Sequence, residues 1–212
     1  MRAAKQGLVV KLHYTHNLNP RVAVAAARHL GAPVRFVRAN PRDPKHIHAF
    51  RALNPNALAP VLEDDDGSTL WETDAIVCRL SALVGSDFWR IGAEQPKMIQ
   101  WISWATHHLN RAADPVYFYR VVWPTFSRDP IDQAEVDKGL RDFREHAAIL
   151  DAALANSAWL VGDRPSYADF RAASALPFAE VAGLPLEAFP AIRRWHDRLL
   201  AFDAWRDPFA GL

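Results

Sequence analysis

The chain has 212 residues, of which 50% are hydrophobic and 23% charged, so its composition is that of a globular protein rather than a disordered or collagen-like one. Lys and Arg number 25 and Asp and Glu 24, and the resulting formal charge of +1 argues against nucleic acid as a partner. The single cysteine, Cys78, excludes an intrachain disulfide and a cysteine-rich metal site, and it fits a reducing cytoplasm. No segment approaches the ~18 to 20 uninterrupted apolar residues of a membrane span, so no membrane partner is expected.

The first ~85 residues alternate between strand and helix patterns. Apolar residues at every second position predict a strand over residues 8–14, and Asn19 followed by Pro20 is typical of a helix start. In chain order the predicted elements are a strand over 8–14, a helix from Asn19 to Gly31, a strand over 33–38, a short helix over 46–53, strands over 60–63 and 69–72 joined by an Asp-Asp-Asp-Gly turn, and a helix capped by Thr73. This order predicts one mixed sheet covered by helices.

From about Gly92 onward the strand signal disappears and the patterns are helical. Helices are predicted over residues 94–122, with an interruption near Pro115, and over 132–156, 166–179 and 190–202. Ser166 and Asp169 have the spacing of a capping box, with Asp in place of the commoner Glu, and they mark the start of the third of these helices. The second half of the chain is therefore predicted to be all-helical.

Two features between residues 52 and 76 have the chemistry of a binding site. Proline at the start of a strand, as in Ala59-Pro60, leaves the backbone of Ala59 able to pair with an extended ligand if the bond is cis. At the second feature, the N-terminus of the helix beginning near Thr73 attracts an anion, and Glu72 attracts an ammonium group. Together the two features would recognise an α-amino acid. The simpler interpretation is an ordinary edge proline and an ordinary helix cap.

The sequence resembles the soluble glutathione S-transferases at these residues and elsewhere. The run LNPNALAPVL is similar to their cis-proline loop and strand, LWETDAI to their Glu-Ser/Thr signature, and WLVGDRPSYADF to the folding box of their helical domain. The late run FPAIRRWHDRLLAFDAW is similar as well, so the likeness spans residues ~8 to 206 in the family's order. It implies an α/β thioredoxin-like glutathione-binding domain over 1–86 and an all-α helical-bundle domain over 93–212.

The resemblance also implies an activity and a set of site residues. The chain would be a cytoplasmic, homodimeric glutathione transferase that conjugates the thiolate of its co-substrate glutathione to a small apolar electrophile. Thr73 would hold the γ-glutamyl carboxylate with help from Glu72, and Ala59, ahead of the cis-Pro60, would pair with the cysteinyl backbone. The helix that carries Trp104, His108 and Arg111 would line the electrophile pocket, although such a stripe is more often core.

The residue that would activate the thiol departs from the family pattern. Relatives supply Tyr, Ser or Cys in the loop after the first strand, whereas residues 14–20 here contain neither Ser nor Cys. Asn17, through its amide, and Tyr14, through its phenol, are the candidate donors. Each also has a structural interpretation, since Tyr14 shares the apolar face of the first strand and Asn17 fits a turn.

A second departure concerns the cation that meets glutathione's glycyl carboxylate. Relatives often carry lysine at the position of Leu58, and Lys45, His46 or His48 are the candidate substitutes in this sequence. The histidines lack metal-site spacing, so no metal is expected. Leu58 and the absent Ser or Cys favour the alternative function, a non-catalytic binding module for protein partners in the manner of translation elongation factor 1 gamma.

Overall fold

The computed structural model describes residues 10–212, and these form two compact units. The first unit contains the described residues up to Trp89 together with Asp203–Leu212. Its elements are the strands β1 (Val10–Tyr14), β2 (Val34–Arg38), β3 (Val61–Glu63) and β4 (Thr69–Trp71) and the helices α1 (Leu18–His29), α2 (Ile47–Leu53), α3 (Thr73–Val84) and α10 (Asp203–Arg206). Leu8 and Val9, which the predicted first strand included, lie outside the described residues.

The four strands form one mixed sheet in the order β2-β1-β3-β4. β1 is parallel to β2, whereas β3 is antiparallel to both β1 and β4. The alternation in β1 has the predicted consequence, because Val10, Leu12 and Tyr14 are each at most 2% exposed and form the core with α1 and α3. The prediction of one mixed sheet covered by helices is confirmed.

The starts of α1 and α3 differ from their predicted positions by one or two residues. α1 begins at Leu18 and its N-cap is Asn17, so the prediction that Asn19 caps this helix is wrong. Asn19 and Pro20 lie in the first turn, where proline's missing N–H would have no helical partner in any case. α3 begins at Thr73 with Glu72 as its N-cap, so Thr73 is the first helical residue rather than the cap.

The second unit, Arg90–Phe202, is all-helical as predicted. It contains α4 (Gln95–Trp104), α5 (Asn110–Tyr117), α6 (Gln133–Leu154), α7 (Tyr167–Ala172), α8 (Ala179–Ala182) and α9 (Pro190–Leu200). Two π-helical turns, Ala105–Leu109 and Phe118–Val122, lie directly before and after α5. No helix in the described part of the chain is both long enough and apolar enough to span a membrane.

The predicted interruption near Pro115 is wrong, because Pro115 lies inside α5. A proline in a helix removes one backbone hydrogen bond and crowds the preceding turn, and the helix here departs from α geometry in the π turns that lie on either side of α5. α5 also crosses α6 closely. A Cβ added at Gly139 of α6 would lie 2.8 Å from the carbonyl oxygen of Ala112, so only glycine fits at this crossing.

The capping box predicted at Ser166 and Asp169 is present. The Ser166 backbone N–H donates to Oδ2 of Asp169 at 2.9 Å, and Oδ1 of the same carboxylate accepts from the Leu160 backbone and from the Trp195 indole, each also at 2.9 Å. Burial raises the pKa of Asp169, and the hydrogen bonds oppose that shift. One carboxylate thus holds three separate segments of the second unit together.

Candidate functional site

The topology of the sheet brings the predicted site segments to one edge. Parallel β1 and β2 end at the same edge, and antiparallel β3 begins there. β4 runs antiparallel to β3, so it also ends at this edge and delivers Glu72 and Thr73 to it. The β1–α1 loop, the β2–α2 loop, the segment before β3 and the start of α3 are therefore neighbours, although they are far apart in sequence. The carboxyl edge of an open sheet is where α/β proteins generally bind ligands.

A cavity of about 390 Å³ lies at this edge. It is lined by three loops, with Thr15, His16 and Asn17 from the first, Arg38, Ala39, Asn40, Pro41 and Arg42 from the second, and Leu58 and Ala59 from the third. Asn17 and Ala59, which the sequence proposed for separate roles, thus line one cavity. Its volume is within the range of small-molecule sites.

The segment before β3 is held in a fixed conformation. The Ala59–Pro60 bond is cis, as the resemblance implies, and Pro60 is buried. The buried Asn54 side chain donates to the carbonyl oxygen of Leu58 at 2.7 Å, which fixes the residue ahead of Ala59. Among residues 10–212, neither the backbone N–H nor the backbone C=O of Ala59 forms a hydrogen bond with another backbone group. Its N–H and C=O are therefore available to an extended ligand.

Glu72 and Thr73 lie at the strand-to-helix junction of the same edge, outside the residues that line the cavity. Glu72 has φ 71° and ψ 125°, a conformation that costs a non-glycine residue about 1–3 kcal/mol and is found more often at functional sites. Its side chain is exposed, whereas Thr73 is 3% exposed. The Thr73 hydroxyl donates to the carbonyl oxygen of Asn19 at 3.2 Å and so ties the start of α3 to the first turn of α1.

The two candidate thiol donors occupy different environments. Asn17 is exposed, lines the cavity, and makes no side-chain capping bond to α1, so its amide is available to a ligand. Tyr14 is 2% exposed and belongs to the core of the first unit, where its ring lies 6.4 Å from that of Phe36. The structure therefore brings Asn17, and not the phenol of Tyr14, to the cavity.

The electrostatic environment of Asn17 favours an anion. The N-terminus of α1, a 12-residue helix, starts at this position, and its first turn contains no acidic residue. Arg21, one turn further along α1, does not add to this site, because its buried guanidinium contacts Trp205 instead of lining the cavity. A negative charge beside Asn17 would therefore meet a positive helix end.

Two cations that line the cavity were missed by the sequence reasoning. Arg38 ends β2 and Arg42 follows in the next loop; both are exposed, and neither forms an ion pair with another residue between 10 and 212. The expected substitutes lie elsewhere: His46 Nδ1 pairs with Asp43 at 3.0 Å, and neither Lys45 nor His48 lines the cavity. The signal in the sequence was Arg38 at the end of the strand predicted over 33–38, but that the end of this strand lies beside the end of the first follows only from the parallel pairing seen in the structure.

The predicted electrophile wall lies in the second unit. His108 and Arg111 line a cavity of about 730 Å³ between α5 and α6, and the ring of Trp104 lies 6.2 Å from that of His108. Trp104 is half-buried, whereas His108 and Arg111 are exposed. The remaining lining is largely polar and includes Lys138 and Asp142, which form an ion pair at 2.8 Å. Trp104, His108 and Arg111 are therefore neighbours on one helical face.

No group of three or more potential metal ligands occurs in the part of the chain that the structure describes. Cys78 lies half-buried in α3, and burial raises the pKa of its thiol. A thiolate at neutral pH is thus disfavoured at Cys78.

Comparison with known proteins gives consistent matches. The family model for the glutathione S-transferase N-terminal domain matches residues 20–83, and the model for the C-terminal domain matches residues 103–203. The chain is 32% identical over 159 residues to Glutathione S-transferase GstB of Escherichia coli strain K12, and this match covers 73% of this chain and 74% of that protein. The solved structure of glutathione S-transferase III in apo form is 26% identical, with a TM-score of 0.83, and covers 95% of this chain and 96% of its own.

A different kind of relative also matches. The chain is 27% identical over 191 residues to Elongation factor 1-gamma of Sus scrofa, a match that covers 86% of this chain and 42% of that protein.

Proposed function

Because the chain belongs to the glutathione S-transferase family, we propose that its first unit binds glutathione and that the bound thiolate is conjugated to an electrophile. The observation that carries the proposal is the single sheet edge that brings together cis Ala59–Pro60, the start of α1 and the Glu72–Thr73 junction, where a cavity of about 390 Å³ is lined by Asn17 and Ala59. Each of these features alone has a structural explanation. A bound tripeptide requires all of them at one sheet edge, together with a backbone N–H and C=O, here those of Ala59, that are available for pairing.

Each part of glutathione has a partner at this edge in the proposal. The γ-glutamyl carboxylate binds at the N-terminus of α3 beside Thr73, and its ammonium group pairs with Glu72. The cysteinyl backbone pairs with the free N–H and C=O of Ala59. The glycyl carboxylate binds Arg42 with Arg38 beside it, because these cations line the cavity next to Leu58, where relatives carry lysine.

The protein's contribution to the chemistry is to keep the sulfur ionised. The thiolate is the nucleophile, and a free thiol titrates near ~8.5, so the site must favour the charged form. We assign this role to the Asn17 amide and to the N-terminus of α1, which together stabilise a negative charge without supplying a proton-accepting group. Tyr14 remains the alternative donor, but its burial in the core favours Asn17.

The electrophile is assigned to the second unit. Trp104 offers an aromatic surface, and His108 and Arg111 offer hydrogen-bond donors along the same helical face. This assignment and that of a homodimer in the cytoplasm rest on the family likeness.

A binding titration and an activity assay test the proposal. Glutathione at 100 times its dissociation constant should stabilise the protein by about 2.7 kcal/mol, and a generic aryl halide should be conjugated. Asn17→Ala should lower the rate and raise the apparent pKa of the bound thiol, whereas Tyr14→Phe and Asn156→Ala, a change of an exposed asparagine that lines neither cavity described above, should change neither. If Asn17→Ala behaves like Asn156→Ala, the assignment of the thiol donor is wrong.

A second candidate function is a non-catalytic binding module for protein partners. It is favoured by Leu58, which removes the family's usual cation, and by the likeness to Elongation factor 1-gamma. Absence of any thermal shift at millimolar glutathione would favour this candidate over the transferase.

A further inference from the structure

The last ten residues return to the first unit. Residues 203–212, here called the C-terminal segment, cluster with the sheet rather than with the helical unit that precedes them, unlike the expected domain boundary of 93–212. Two arginines of α1 hold the segment. Arg21 donates to the carbonyl oxygen of Trp205 and lies 4.8 Å above its ring, and Arg28 donates to the carbonyl oxygen of Ala210 at 2.6 Å.

The segment delivers one aromatic ring to the β1–α1 loop. Phe209 stacks on His16 with ring centroids 4.4 Å apart and an interplanar angle of 22°, and it stacks on Tyr14 at 5.6 Å and 19°. Tyr14 and His16 are themselves stacked at 5.9 Å, so the three rings form one cluster. Tyr14 is fixed in the core, whereas His16 is exposed and is held by these ring contacts.

The cluster bears directly on Asn17, the residue after His16. The loop between β1 and α1 has only three residues, Thr15–Asn17, and all three line the cavity. The Asn17 carbonyl accepts the first helical hydrogen bond from Arg21 at 2.9 Å, but its side chain has no capping bond to fix it. The direction of the Asn17 amide therefore depends on how the loop is held on its other side, at His16.

We propose that Phe209 is a positioning residue, which stacks on His16 and thereby holds the loop that directs the Asn17 amide into the cavity. The inference rests on the proposed function, since it assigns Phe209 a role in presenting the thiol donor. Phe209 itself touches neither the cavity nor a reacting atom. It acts through His16, and the two arginine contacts of the C-terminal segment keep its ring in place.

The test replaces the ring in the full-length protein. Phe209→Leu removes the stacking and keeps an apolar contact with Tyr14, whereas Phe209→Tyr keeps the ring. Because an aromatic pair is worth a modest energy beyond its area, Phe209→Leu should lower kcat about threefold to tenfold and raise the apparent pKa of the bound thiol. Phe209→Tyr should retain the wild-type values. Phe126→Leu removes an exposed ring from the second unit and should change neither.

One further readout, the affinity for a thiol-blocked ligand, separates positioning from a merely structural role. S-methylglutathione has no ionisable thiol, so its affinity for Phe209→Leu should stay within about twofold of the wild-type value. If Phe209→Leu leaves kcat and the thiol pKa unchanged, or if it weakens S-methylglutathione as strongly as it lowers kcat, the inference is overturned.

The inference can also be tested if glutathione does not bind. In ligand-free protein, NMR resonances of the His16 ring and the Asn17 side-chain amide should shift in Phe209→Leu and not in Phe126→Leu. Unchanged resonances would overturn the positioning role whatever the outcome for glutathione. If the wild-type protein fails to bind glutathione, the proposed function is overturned, whereas the NMR result on how Phe209 holds the β1–α1 loop is unaffected.

Discussion

Arg42 gives the sharpest prediction about ligand affinity. Its guanidinium lines the cavity beside Leu58, and among residues 10–212 it forms no ion pair that a substitution would break. Arg42→Gln removes the charge and keeps a hydrogen-bonding side chain, so the fold should be unaffected. Any loss of affinity then reports on the contact with the ligand's carboxylate.

The size of the effect follows from the exposure of the group. A charge-assisted hydrogen bond is worth about 1.5–3 kcal/mol, and water and salt screen an exposed pair toward the lower end of that range. A loss of about 1.5 kcal/mol corresponds to roughly tenfold weaker glutathione binding. Arg38 lines the same cavity, so the double variant Arg38→Gln/Arg42→Gln should weaken binding by roughly a hundredfold if the two contributions add.

Calorimetric titration with glutathione at low and at high salt measures these affinities. Lys45→Gln is the matched control, because Lys45 is an exposed cation of the same loop that does not line the cavity. Leu58→Lys should restore about tenfold in the Arg42→Gln background, since it places a cation at the family's usual position. Equal affinities for Arg42→Gln and Lys45→Gln would refute the assignment of Arg42.

Three further predictions concern stability, each measured by urea unfolding. Asp169→Ala leaves the donors of Leu160, Ser166 and Trp195 without an acceptor in the core and should lower the free energy of unfolding by about 4 kcal/mol or more. A decrease below about 1 kcal/mol would contradict the role of the buried carboxylate. Gly139→Ala places a Cβ 2.8 Å from a carbonyl oxygen and should destabilise by about 1–3 kcal/mol, whereas a gain in stability would mean that helix propensity outweighs the close crossing. Hydrogen bonds from Lys11 and then His13 lower the pKa of Glu63, so its stabilising contribution is present at neutral pH and is lost as pH falls through that lowered pKa. Glu63→Gln should therefore lower the free energy of unfolding by roughly 0.5–1 kcal/mol at neutral pH and leave it unchanged in acid. A decrease that persists in acid would contradict this.

The parts of the fold that depend on local patterns could be predicted from the sequence. Alternation placed Val10, Leu12 and Tyr14 on the buried face of β1, and the spacing of Ser166 and Asp169 predicted a capping box that is present. Both signals act within a few residues. Helix starts were off by one or two residues because Asn17 and Asn19 are both good N-cap residues, and the choice depends on where the loop is held.

The parts that depend on tertiary packing could not be predicted. Arg38 and Arg42 line the cavity because parallel strands end together, and the pairing partner of a strand is not encoded in its own residues. Pro115 lies inside a helix flanked by two π-helical turns, and no local pattern in the sequence signals those turns. Phe209 reaches His16 because the chain returns to the first unit after 113 residues in the second, a path that no motif signals.

The most direct test of the central claim is a crystal structure of the protein grown with glutathione. We expect the cysteinyl backbone to pair with Ala59, the γ-glutamyl carboxylate to meet the N-terminus of α3 at Thr73, and the sulfur to lie within hydrogen-bond distance of Asn17. An ordered tripeptide bound at a different surface, with the Ala59 backbone and the start of α3 making no contact to it, would contradict the account.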